Sequence, residues 1–83
     1  MKQHEIILKA VLENPKKKVW DARDFQRGKY FVGYEATARI SELVNQYPDL
    51  FVVGRDGRFR TIEVNWEDVE TIEFLKKLLE IRK

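Results

Sequence analysis

Apolar residues recur along the first fourteen positions at the three- and four-residue steps of a helix. Ile6, Ile7, Ala10 and Val11 form the stripe, Leu8 and Leu12 widen it, and Lys2, Glu5, Lys9 and Glu13 are left for water. A stripe this wide predicts contact on two sides. Asn14-Pro15 ends the helix, because the residue before proline is pushed out of the α region and proline has no N–H to donate. Val19 and Trp20 predict a very short edge strand. Asp21 is a good N-cap and Asp24 adds negative charge to the first turn, so a second helix is expected from Ala22 to about Arg27. It turns Ala22, Phe25 and Gln26 inward and stops at Gly28. In the connection from Lys29 to Gly33, Tyr30, Phe31 and Val32 read as core plugs.

The stretch from Tyr34 to Tyr47 organises the rest. Ala36, Ile40, Leu43, Val44 and Tyr47 share one side of a third helix and predict a core-facing stripe. Glu35, Ala38, Arg39, Glu42 and Asn45 lie opposite, flanked by Tyr34, Thr37, Ser41 and Gln46. After Pro48-Asp49, two β-rich runs surround Asp56-Gly57, which predicts a hairpin with that pair as a type I′ loop, both residues at φ > 0. Such a loop sets Arg55 opposite Arg58, Val53 opposite Arg60 and Phe51 opposite Ile62. One face then runs from an apolar root (Phe51, Val53, Ile62, Val64) to a cationic tip (Arg55, Arg58, Arg60). On the other face Phe59 is expected beside Gly54.

Asn65 is expected to cap a last helix from Trp66 to Ile81. Glu67, Asp68 and Glu70 stand at its start and Lys76, Lys77, Arg82 and Lys83 at its end, matching the helix dipole. Its apolar residues form two adjoining stripes: Val69, Ile72, Leu75 and Leu79 on one, Phe74, Leu78 and Ile81 on the other. A small core has room for one of them. Residues 65–83 therefore form a predicted dimerisation element, unless the first helix packs along the last and buries both stripes.

Composition limits the chemistry. Eighty-three residues with 43% hydrophobic content make one domain, 1–83, too small for an enzyme with a deep cleft between domains. The net charge is only +2. Its distribution is uneven: ten basic against six acidic residues lie between Pro15 and Ile62, and four against six from Glu63 onward. The basic middle favours an anionic partner, though weakly. Without cysteine and with His4 as the lone imidazole, neither a metal site nor a serine-histidine-carboxylate set can be assembled, and no phosphate-loop motif occurs. No cofactor, metal or catalytic activity is expected. The acidic groups Asp21/Asp24 and Glu67/Asp68/Glu70 sit at predicted helix starts, where the dipole explains them. No apolar run approaches the ~20 residues that span a bilayer, and no signal-peptide pattern is seen, so a cytoplasmic chain without membrane contact is expected.

The order helix, short strand, helix, helix, strand, strand, helix leads to a resemblance. Phe31 to Leu43, F-V-G-Y-E-A-T-A-R-I-S-E-L, followed by a hairpin with a basic tip, resembles the winged helix-turn-helix superfamily in its small single-domain prokaryotic and phage form. The resemblance covers roughly Ile6 to Val64. It implies an α+β winged-helix fold: a three-helix core, a short strand and a C-terminal hairpin wing, with the last helix added. It further implies that the third helix enters the major groove of double-stranded DNA and the wing meets the backbone. The base-facing candidates are then Tyr34, Glu35, Thr37, Ala38, Arg39 and Glu42. Arg55, Arg58 and Arg60 are the wing candidates, and Lys16, Lys17 and Lys18 are a phosphate-contacting loop or simply a solvated one. A non-catalytic DNA-binding regulator or accessory factor is the first expectation. The second is a protein-interaction module of the same fold, since Glu35 and Glu42 oppose phosphate and suit a protein partner.

Overall fold

Why the chain turns where it does is visible at each boundary. The computed structural model describes residues 2–80. Helix α1 spans Gln3–Glu13. It ends where expected, and the Asn14 side chain donates to the Ala10 carbonyl (2.7 Å) and to the Tyr30 hydroxyl (3.1 Å), satisfying the last turn. Ile7, Leu8, Ala10, Val11 and Leu12 are all buried, so the wide stripe does meet neighbours on two sides: α2 (Ala36–Gln46) and α3 (Val69–Leu79) both pack on α1.

The second helix is shorter and tighter than the pattern implies. It is a 3-10 helix over Ala22–Phe25, with Asp21 and Asp24 closing a reciprocal capping box. The α-form cannot continue because the Phe25 carbonyl is already taken: the N–H groups of Val32 (2.7 Å) and Gly33 (3.0 Å) both donate to it. Ala22 and Phe25 are buried as expected, and Gln26 is half-buried. Of the three expected core plugs Val32 is buried and Tyr30 packs at the edge, but Phe31 is 59% exposed. Three consecutive residues in an irregular loop cannot all point one way.

Asp21 is the hinge of this corner. Its side chain accepts from the Arg23 backbone N–H (2.8 Å) and is bonded to the Arg23 guanidinium at 2.6 Å. That guanidinium hydrogen bond, helped by the backbone N–H and by the charges of Arg23 and Lys17, holds the Asp21 carboxyl below its ordinary range against the opposing effect of burial. A carboxyl depressed on folding adds stability above its unfolded pKa of about 3.9, and the contribution is lost as pH falls through the lower folded value. Asp21→Asn keeps an N-cap but removes the charge. The variant is expected to melt below the wild type at neutral pH, with the gap closing as pH falls through the lowered folded-state value. Parallel melting curves across pH check this, and a gap of constant size in acid would contradict it.

Helix α2 starts two residues later than its apolar pattern allows, because Tyr34 and Glu35 form the turn before it. Ala36, Ile40 and Leu43 are buried, and Val44 and Tyr47 pack at the core edge.

Strands β1 (Phe51–Asp56) and β2 (Phe59–Val64) form an antiparallel pair. The register differs from the one expected. Asp56 pairs with Phe59, Arg55 with Arg60, Val53 with Ile62 and Phe51 with Val64, so the two-residue loop is Gly57-Arg58. Gly57 has φ +61 while Asp56 and Arg58 stay at negative φ. A type I′ loop at Asp56-Gly57 would force Asp56 to positive φ; the observed loop needs that only of glycine at its first position, as in a type II′ turn. The loop moves one residue along the chain, so Phe51, Val53, Arg55, Arg60, Ile62 and Val64 still share one face, while Arg58, expected on that face opposite Arg55, becomes a loop residue. Opposite Gly54 stands Thr61, not Phe59, and its Oγ1 lies 2.8 Å from where a Cβ on Gly54 would be. The bare glycine is what lets Thr61 sink to 9% exposure.

Trp20 supplies the expected short strand as a single bridge, exchanging two 2.8 Å hydrogen bonds with Ile62. β2 thus lies between Trp20 and β1, and β1 is the outer edge. That is why Val53, expected at the buried root, is 44% exposed. The described residues form a small α+β unit of three α-helices and one two-stranded hairpin around a single core.

α3 also starts later than expected. Asn65 makes a turn instead of a cap, accepting from the Glu67 N–H (3.2 Å) while its carbonyl accepts from Asp68 N–H, and the helix begins at Val69. Ile72 and Leu75 are buried and Leu79 packs against the core, but Val69 is 58% exposed, so the first stripe is shorter than expected. Phe74 and Leu78 of the second stripe are exposed; Ile81, Arg82 and Lys83 lie outside the described residues. No described helix is long and apolar enough to cross a membrane.

Candidate nucleic-acid interface

The polar side of α2 divides into three strips, each with its own neighbours. Thr37 and Ser41, one turn apart, face the hairpin. Arg60 Nη1 lies 3.4 Å from Ser41 Oγ, which ties the cationic tip to the helix. Thr37, Arg58 and Arg60, with Phe59, Ala22 and Ile40 beneath, line a small shared concavity. On the Arg60 side of the hairpin Arg55 stands directly across the ladder. Two like charges in one cross-strand pair oppose pairing, and an anion bound between them would relieve that repulsion.

The middle strip is Tyr34, Ala38 and Asn45, all exposed, Tyr34 at 97%. It bears no charge.

The third strip turns toward α1. Glu42 Oε1 lies 2.6 Å from His4 Nε2 and 3.3 Å from Arg39 Nε. Arg39 Nε is shielded from solvent, and its contact with Glu42 is an ion pair without hydrogen-bond geometry. Arg39 and Glu42 are thereby held to each other and to α1, on the flank away from Arg60. Glu35 is exposed at the helix start, where its carbonyl accepts from the Arg39 N–H.

Lys16, Lys17 and Lys18 lie elsewhere again. All three are exposed, but Lys17 reaches Asp24 (3.3 Å) and sits 5.1 Å over the Trp20 ring. A groove beside the hairpin is lined by Lys17, Arg23 and Arg55 together with Asp21, Asp24 and Asp56, and runs past Val19, Gly54 and Thr61. Arg23 closes this region: it pairs with Asp56 (3.0 Å) and stacks 4.2 Å over Phe59, its cross-strand partner, so one guanidinium pins both ends of the hairpin tip to the 3-10 helix. Its two carboxylate partners raise its pKa further above the ordinary arginine value.

Of the twelve residues marked by the sequence, then, Thr37, Arg58 and Arg60 converge on one concavity, with Ala38 and Tyr34 on the adjoining strip and Arg55 across the ladder. Arg39 and Glu42 face another way. Three contributors carry no mark in the sequence reading. Ser41 could be found from its spacing, four residues after Thr37. Arg23 and His4 could not, because their roles depend on partners 33 and 38 positions away. Among the described residues no group of three or more His, Asp or Glu side chains could hold a metal ion. No family model, curated protein or solved structure matches the chain.

Proposed function

We propose that this protein binds double-stranded DNA without catalysis, as a small winged-helix regulator or accessory factor, with α2 in the major groove and the hairpin as a wing on the backbone. The observation that carries the reading is the Arg60–Ser41 contact, which fastens a cationic hairpin tip beside the outward face of α2. In a groove-bound pose Tyr34, Thr37, Ala38, Ser41 and Asn45 would face base edges, where asparagine can pair with adenine. Arg55, Arg58 and Arg60 would meet phosphates. Glu42, which on sequence grounds opposes phosphate, is turned toward His4 and Arg39 and is no longer an unpaired anion on this face.

The test is a salt titration with a labelled duplex. Affinity is expected to fall linearly in log-log form as salt rises, with a slope of roughly 0.9 per phosphate contact. No binding in low salt would overturn the proposal and leave the protein-interaction reading of the same fold.

A further inference from the structure

The unexplained surface is on α3. Phe74 and Leu78 are 61% and 62% exposed, one turn apart, and with the half-buried Thr71 they make a row beside the buried Ile72, Leu75 and Leu79. On the other flank the structure provides its own cover, since Lys76 lies 5.9 Å over the Trp66 ring. These two large apolar side chains adjoin on the outer flank of α3 without cover from the described residues.

Charge indicates what fits there. Glu70 and Lys77 are both exposed and lie seven residues apart, so they stand on one line of the helix beside Phe74, about 10 Å from each other. Phe74 falls near their midpoint. If an identical helix is laid alongside in parallel, the line carrying Glu70 and Lys77 falls on opposite sides of the seam in the two copies and these charges do not meet. If it is laid antiparallel about a two-fold axis near Phe74, each Glu70 meets Lys77 of the other copy, the two Phe74 rings meet at the axis, and each Leu78 lies over Thr71. A two-fold contact requires one patch complementary to itself, and this strip of α3 has that property in both its apolar and its charged residues. We infer that the row Thr71–Phe74–Leu78 is a homodimer contact in which α3 pairs antiparallel with α3 of a second copy. α3 joins the rest of the molecule by packing on α1, so the pairing leaves the hairpin tip and its concavity open. It stands whether or not duplex DNA is the ligand.

Sedimentation equilibrium at low salt, where exposed ion pairs are least screened, tests it on the whole chain. The wild type at tens of micromolar is expected at twice its 10.0 kDa mass. Leu78→Glu, at a solvent-exposed site, is expected to give the monomer with an unchanged circular-dichroism spectrum. Glu70→Lys and Lys77→Glu are each expected to weaken self-association about tenfold or more, since each turns two attractive pairs into repulsive ones. Mixed together, these two variants are expected to form a heterodimer, because every pair is then again of opposite sign. A wild type that stays at 10.0 kDa overturns the proposal, as does a dimer indifferent to Leu78→Glu. Failure of the mixture to associate, with a wild-type dimer present, overturns the antiparallel arrangement.

Discussion

Phe25→Ala is expected to lower stability by about 3–5 kcal/mol, the cost typical of emptying a buried aromatic site. The ring is fully buried and stacks on Trp20 with centroids 5.5 Å apart, and Trp20 in turn bridges Ile62 of the hairpin. The same residue's carbonyl anchors Val32 and Gly33, where the chain turns into α2. Loss of the ring therefore loosens the hairpin, the 3-10 helix and the entry to α2 at once. Domains of this size hold only about 5–15 kcal/mol in total, so the variant should unfold at much lower urea than the wild type. Thr37→Ala, on the exposed strip, is expected to stay within about 0.5 kcal/mol. Coincident urea midpoints for the two variants would show that the core is misassigned.

The second large effect concerns binding. Arg58→Ala combined with Arg60→Ala is expected to weaken duplex binding roughly 30- to 150-fold near 0.1 M salt, on the scale of about 1–1.5 kcal/mol for each contact exchanged with water. It should do so on every sequence and lower the salt slope by about 1.8, twice the value for one phosphate. Both residues are exposed, and Arg60 loses only its 3.4 Å contact with Ser41, so the fold should survive. Unchanged affinity and slope in a folded double variant would remove the hairpin from the binding face.

Much of the fold was legible because short-range rules fix it. The Asp21 cap, the Asn14-Pro15 stop and the periodic stripes of α1 and α2 depend on neighbours within a turn. The hairpin was legible in place but not in register: Asp56-Gly57 suits two turn types, and only the backbone decides which residue takes the positive φ. The late start of α3 escaped for a similar reason, as Asn65 can close an Asx turn or cap a helix with the same side chain. Burial departs from the apolar pattern where a strand leaves the core, at Val53, and where an irregular loop directs one residue outward, at Phe31. The concavity between α2 and the hairpin was legible in Arg58, Arg60 and Thr37. What the sequence could not display was which side of α2 each polar residue serves. Arg39 and Glu42 lie on the polar arc but are drawn to His4 on α1, a pairing across 38 residues that no local pattern encodes.

Backbone amide chemical-shift mapping on adding a short duplex locates bound DNA on the surface residue by residue. With DNA on the proposed α2–hairpin face, the largest shifts are expected at Thr37, Ala38, Ser41, Gly57, Arg58 and Arg60, with little change from Ile72 to Leu79. Shifts concentrated on α3 or around Phe31, with the hairpin tip and the first turns of α2 unmoved, would contradict it.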